Sequence, residues 1–188
     1  NHTATFISQI KSIAGGALAG SGDEVDQIIV SSVEANIDNN AVVKAKNIQV
    51  DVNNTAEKEW LSEQNIKGTT GGLASAAGAD SKITLDFITV VNVRDNAELE
   101  VQGTYANPGD FELKALNTFN VKDKITLLTG GALSGAGADL TIETTNNLAQ
   151  VQIGNNAELK SVGDINISAR GSGTVIGKVN TETYGAAT

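Results

Sequence analysis

Apolar and polar residues alternate along most of this chain. In the segment Val151–Leu159 every second residue is apolar until an Asn pair interrupts the pattern, and the alternation then resumes. A period of two is the period of a β-strand that has one buried face and one wet face. The pattern therefore predicts an all-β fold of strands joined by tight turns.

The same alternation and turn occur in three copies, each downstream of a Gly–Ala run. The runs begin with the Gly pairs at 15, 71 and 130, so the repeat is 56–59 residues long. A fixed long period indicates repeats that stack because one copy cannot bury its own apolar face. We predict one domain over residues 1–188, with repeats at about 15–70, 71–129 and 130–184 and with 1–14 as the end of a preceding repeat. Because Val179 precedes Gly185 as Ile125 precedes Gly131, we expect a fourth repeat to begin at the end of this piece of a longer protein.

Two architectures fit such repeats. The favoured one is a parallel β-helix (β-solenoid) with coils of roughly 18–22 residues, about three coils per repeat, and about nine coils in a rod about 45 Å long. The alternative is an antiparallel sandwich, in which the three copies would occupy non-equivalent positions. A solenoid would stack like residues, such as Ile37 on Val93. It would also place Asn and Gly where the backbone needs positive φ, at Asn40, Asn96, Asn156, Gly22, Gly78 and Gly137.

Composition narrows the possible partners. The chain has two Tyr, four Phe, one Trp, no Met and no Cys, so its core must consist of Val, Ile, Leu and Ala. A net charge of −9 argues against nucleic acid or an anionic membrane as a partner. No apolar run approaches the roughly 20 residues of a membrane-spanning helix, so we predict no membrane insertion.

The repeat sequence itself resembles a known family. The run Gly130–Asp139, followed by Val151–Ala169, is similar to the repeats of filamentous-haemagglutinin-like and leukotoxin-type filamentous adhesins, which are very large secreted bacterial proteins. The resemblance covers nearly all of the chain. It implies a right-handed parallel β-helix, export to the bacterial cell surface and a role in adhesion or surface coating, and it carries over no catalytic residues. The charged segment 55–65 and the insertion 103–108 depart from the repeat.

The candidate chemistry is sparse. His2 is the single histidine, so neither a Ser-His-Asp triad nor a zinc site can be assembled. Three acidic residues at matching positions, Glu24, Asp80 and Asp139, are predicted to be solvated, with a polysaccharide-acting β-helix enzyme as the alternative. The stretch 135–139 partly matches a calcium β-roll, so a calcium-dependent binding module is a second alternative. We assign no catalytic, cofactor-binding or metal residues and expect neither a cofactor nor enzymatic activity.

The sequence thus predicts a structural stalk or repeat segment of an exported bacterial surface adhesin or extracellular filament. Its expected partners are flanking repeats of the same polypeptide. Lateral self-association along the Gly–Ala surface and contact with a host or cell-surface ligand through the loop at 103–110 are further possibilities.

Overall fold

A computed structural model describes residues 1–59 and 65–186. Strands connected by turns and short loops make up this part of the chain, and it contains no helix, which confirms the all-β prediction. The strands are β1 (His2–Phe6), β2 (Ile10–Gly15), β3 (Leu18–Ile37), β4 (Val42–Ala45), β5 (Ile48–Lys58), β6 (Ile66–Gly71), β7 (Ala74–Val93), β8 (Glu98–Val101), β9 (Phe111–Gly130), β10 (Leu133–Ile153), β11 (Glu158–Lys160) and β12 (Ile165–Tyr184).

The strands form three sheets in which every pair of neighbours is parallel. Sheet A contains β9 between β12 and the consecutive strands β5 and β6, and β1 and β2 pair with β5 and β6 in turn. Sheet B has the order β3-β7-β10 and sheet C the order β4-β8-β11. The chain therefore passes from sheet A to B to C and back to A. Parallel pairing excludes the antiparallel sandwich for the described residues and is consistent with a β-solenoid.

The register corrects the predicted coil length. Each residue pairs with the residue one repeat away, for example Leu18 with Ala74 and Ala74 with Leu133. Coils of 18–22 residues would instead pair residues about 20 positions apart, so the prediction of about three coils per repeat and nine coils in total is wrong. Each repeat supplies one layer to each sheet, and a 20-residue strand such as β7 spans roughly 65 Å within its layer.

The coils are long because the chain turns at fewer positions than predicted. Asn40, Asn96 and Asn156 have φ values of 59°, 57° and 56°, which confirms the predicted left-handed turns. Positive φ was also predicted at Gly22, Gly78 and Gly137, and this prediction is wrong. All three lie inside the long strands of sheet B, and among the described glycines only Gly16 and Gly109 have positive φ. The chain therefore continues straight where a turn was expected.

The corner between sheets A and B is formed by the Gly pairs. A Cβ on Gly72 would lie 2.1 Å from the carbonyl oxygen of Gly16, and a Cβ on Gly131 would lie 2.3 Å from that of Gly72. Real Cβ atoms do not approach backbone oxygens so closely. The backbones of successive layers therefore approach one another closely at this corner.

The core lies between sheets A and B, and sheet C closes one end. Like residues stack in it as predicted: Ala35 on Val91 and Ile37 on Val93. Inward residues of the middle layers are fully buried, among them Ile83, Leu113 and Ile125. The phenyl rings of Phe87 and Phe119 stack across the core with centroids 5.8 Å apart.

Both departures from the repeat adjoin strands of sheet A, β5 in one case and β9 in the other. The charged segment 55–65 begins as the end of β5, and its residues 60–64 lie outside the described residues. The insertion 103–108 lies in the loop between β8 and β9, where Thr104 and Asn107 form a small bridge and Tyr105 is 93% exposed. The insertion is therefore accommodated in a solvent-exposed loop.

Candidate functional site

The three acidic candidates form one column on the outer face of sheet B. Register pairs Glu24 with Asp80 and Asp80 with Asp139, so their side chains lie in successive layers about 4.8 Å apart. The column borders a small depression next to Gly22, Gly78 and Gly137, and all three acidic residues are exposed. The structure thus brings the three acidic candidates together on a solvent-exposed surface.

The surroundings of the column offer little for catalysis or metal binding. Lys82, two positions beyond Asp80, places its Nζ 2.8 Å from Glu143 Oε1, which holds the amino group at its own ion pair. Within residues 1–59 and 65–186, no group of three or more His, Cys, Asp or Glu side chains has an arrangement that could hold a metal ion. Among the described residues, the column is thus a row of exposed carboxylates without the arrangement of side chains that a metal ion would need.

A polar cleft lies at the other end of the same face, beside the Asn turns. It has a volume of about 860 Å³, and Arg94 and Asn92 line it. Asn92 Nδ2 donates to Glu34 Oε1 and, at 2.9 Å, to Asn36 Oδ1, while Arg94 Nη2 donates to the same Asn36 oxygen at 3.0 Å. These side chains hydrogen-bond to one another between two layers, so the donors that line the cleft already have partners within the protein.

An apolar groove lies at the Gly corner. It is about 690 Å³ in volume and is lined by Leu18, Ala74 and Leu133 together with small neighbours on the outer face of sheet B. Leu18 is 83% exposed. This groove is the Gly–Ala surface that the sequence analysis named for lateral association.

Sheet C carries a ladder of alternating charges. Lys44 Nζ lies 3.3 Å from Glu98 Oε1 and 2.7 Å from Glu100 Oε2, and Lys160 Nζ lies 3.3 Å from the same Glu98 oxygen. Hydrogen bonds from Lys44 and Lys160 lower the pKa of Glu98, and the hydrogen bond to Glu100 raises the pKa of Lys44. The ladder joins all three layers and favours their observed register.

A buried polar cluster in the core was missed by the sequence analysis. Asp123 points inward from β9, and its carboxylate accepts hydrogen bonds from Lys58 Nζ at 3.1 Å, from Asn65 Nδ2 and from Ser81 Oγ. All four side chains are more than nine-tenths buried. Burial lowers the pKa of Lys58, and the nearby Asp123 carboxylate opposes this shift.

The sequence did contain a signal for this cluster. In the stretch 121–125 the alternation assigns the odd positions to the core, and Asp123 occupies one of them between Val121 and Ile125. A carboxylate at an apolar position indicates a buried partner, since an unpaired buried charge is strongly unfavourable.

The single histidine lies in a regular β-strand. His2 is the first residue of β1 and pairs with Asn54. In the described part of the chain, no helix has the length and apolarity needed to cross a membrane.

Comparison with protein-family models, with curated proteins and with solved structures finds no match for this chain.

Proposed function

We propose that this chain is a structural repeat segment of an exported bacterial surface adhesin or extracellular filament, wound as a right-handed parallel β-helix. The observation that carries the proposal is the register, because each repeat lies on the next along all three sheets. Backbone hydrogen bonds along such a stack give a stiff spacer whose length grows with the number of repeats.

The outermost layer supports the proposal that the partners are further repeats. The inward-facing apolar side chains of β12 are between 41% and 47% exposed, whereas their partners in β9 are buried. A further repeat with the same pattern would cover them as β9 is covered. The residues concerned are Ile165, Ile167, Val175 and Val179.

Two surfaces are suited to contacts outside the stack. The loop that contains Tyr105 is exposed to solvent. The apolar groove lined by Leu18 and Leu133 gives another chain a surface to pack against. In this proposal the loop contacts a cell-surface ligand and the groove mediates lateral association.

Surface exposure in the parent organism is the direct test. An antibody raised against the exposed loop at 103–110 should label intact, unpermeabilised cells that express the parent protein. A strain that lacks the gene and an antibody against a cytoplasmic protein are the controls. Labelling that requires permeabilisation would contradict an exported surface segment.

The two alternative functions of the acidic column give different outcomes. A polysaccharide-acting enzyme would cleave a glycan and lose that activity in Asp80→Asn and Asp139→Asn variants. A calcium-dependent module would melt several degrees higher in millimolar calcium than in chelator. We expect no glycan cleavage and no calcium-dependent shift in melting temperature, because these carboxylates are solvated and unassembled.

A further inference from the structure

Lys58, Asn65 and Asp123 bring an amine, a carboxamide and a carboxylate together inside the core. We propose that Lys58 and Asn65 become joined by a side-chain amide bond, with Asp123 transferring the proton and ammonia leaving. The inference concerns covalent modification of the chain and does not depend on its role as a surface segment.

The amine and the amide share two acceptors. Lys58 Nζ and Asn65 Nδ2 each donate to the carbonyl oxygen of Lys122 at 3.3 Å, and both also donate to Asp123 Oδ1. Two donors on one oxygen lie within about 6 Å of each other, and a second shared acceptor restricts them further. The reacting groups are therefore held side by side before any bond forms.

The site excludes water. Lys58 is 1% exposed, Asn65 2% and Asp123 0%, and the cluster lies between the hydrophobic regions around Val121 and Ile125. In such surroundings transfer of the ammonium proton to the carboxylate replaces two buried charges with two neutral groups. A neutral amine is the nucleophilic form of lysine.

The reaction balances without an oxidant or a cofactor. The lone pair of Lys58 Nζ attacks Cγ of Asn65, and the carbonyl electrons move to Oδ1. When the carbonyl re-forms, the bond from Cγ to Nδ2 breaks. Nδ2 takes a proton from the Asp123 carboxyl group and leaves as ammonia. The Asp123 carboxylate then accepts the surplus proton from Nζ and passes it to the ammonia. The products are a secondary amide and an ammonium ion, and Asp123 returns to its carboxylate form.

The hydrogen bonds identify Asn65 as the electrophile. The Asp123 carboxylate accepts hydrogen bonds from Lys58, Asn65, Ser81 and the backbone N–H of Lys124, so donors already surround both of its oxygens. Asn65 Oδ1 is buried and accepts no hydrogen bond within the described residues. Once protonated, Asp123 can pass a proton to Asn65 Nδ2, which already contacts it, as the bond from Cγ to Nδ2 breaks.

The bond would join the end of β5 to the residue that precedes β6. Lys58 ends β5 and Asn65 immediately precedes β6, whereas β9 crosses the same interval without a break. The cross-link would close a short covalent ring at this interruption.

Mass spectrometry of the intact, purified chain is the first test. The measured mass should be lower than the sequence mass by one ammonia. An unchanged mass would overturn the proposal, as would the loss of one water with a cross-link between Lys58 and Asp123.

Digestion distinguishes the cross-link from cyclisation of Asn65, which also releases ammonia. A Glu-specific protease cuts after Glu59 and Glu63, between the two residues. The fragments that contain Lys58 and Asn65 should remain joined as one branched peptide. Their separation would show that the ammonia was lost by another route and would overturn the inference.

Variants test the assigned roles. Lys58→Met removes the amine and keeps an apolar chain of similar length in the core, and it should restore the full sequence mass. Asp123→Asn should do the same with both reacting groups still present. Ser81→Ala is the matched control, since it alters the same cluster and keeps all three groups, and it should still lose ammonia. Loss of ammonia from Lys58→Met would refute the assignment.

Discussion

The corners of this chain are formed by two residue types for two different reasons. At the turn before sheet C, Asn96 adopts a left-handed backbone with φ of 57°, which its side chain tolerates. At the corner between sheets A and B, Gly131 does not need positive φ, and what it needs is the absence of a Cβ beside the Gly72 carbonyl. One corner thus depends on backbone conformation and the other on space between layers.

This difference gives a prediction for Gly131→Ala. The added methyl carbon would meet the Gly72 carbonyl oxygen at 2.3 Å, and a backbone oxygen cannot move aside as a side chain can. We expect the free energy of unfolding, measured by urea denaturation, to fall by about 1–3 kcal/mol, as for other overpacked sites.

The matched control lies four residues away in the same Gly–Ala run. A Cβ on Gly135 would have no atom within 4 Å, so Gly135→Ala should be neutral or slightly stabilising. Equal destabilisation by both substitutions would show that the layers do not approach as closely at the corner as described.

At the scale of the strands, the contribution of the sheet C charge ladder to stability can be tested by changing the pH. Hydrogen bonds from Lys44 and Lys160 lower the pKa of Glu98 below its ordinary value of 4.5. A carboxylate whose pKa is lowered by folding stabilises the fold above the ordinary value, and this contribution is lost as pH falls through the lowered pKa. Because the ladder is exposed, the effect should be small and should weaken in high salt.

Glu98→Gln is therefore expected to lower the melting temperature slightly at neutral pH. The difference from the parent chain should persist down to about pH 4.5 and shrink below it. Glu57→Gln, which removes an exposed carboxylate from sheet A, is the control for the change in net charge. A melting difference that stayed constant at acidic pH would exclude the ladder as its source.

The strands were predictable from the sequence to different degrees. Alternation and the Asn turns predicted the strand type and the stacking of Ile37 on Val93, because both depend on local residue preference. The lengths of β3 and β7 were not predictable in this way. Glycine is common in turns, yet Gly22 and Gly78 fit an extended strand equally well because they carry no side chain. Pairing with the neighbouring layers decides between the turn and the strand.

The same limit applies to the candidate sites. The column of Glu24, Asp80 and Asp139 followed from the repeat alone, because equal positions in successive repeats must stack. The cluster around Asp123 did not follow from the repeat, since its four members come from β5, the residue before β6, β7 and β9 and belong to two different repeats. Its position within the alternation was visible, whereas its partners required the fold.

At the scale of the molecule, the register means that the number of repeats sets the height of the stack. Sheet B has three layers and sheet A four, and each complete repeat contributes one layer to each sheet. The outermost long strands, β3, β10 and β12, each have an edge that no described strand covers. Such edges pair readily with further strands, and stability in stacked repeats grows with each added interface.

Duplication of one repeat tests this arrangement directly. A second copy of residues 71–129, inserted after Thr129, should add one layer to each sheet and lengthen the stack by about 4.8 Å, measured by small-angle scattering. With three coils per repeat the stack would lengthen by about 14 Å. The added layer should also raise the melting temperature and the urea m-value, since more surface is buried between layers. An insert of the same composition in scrambled order is the control, because it lacks the alternation that a layer needs. A longer chain with unchanged melting temperature and a flexible scattering profile would show that the repeats do not stack on one another.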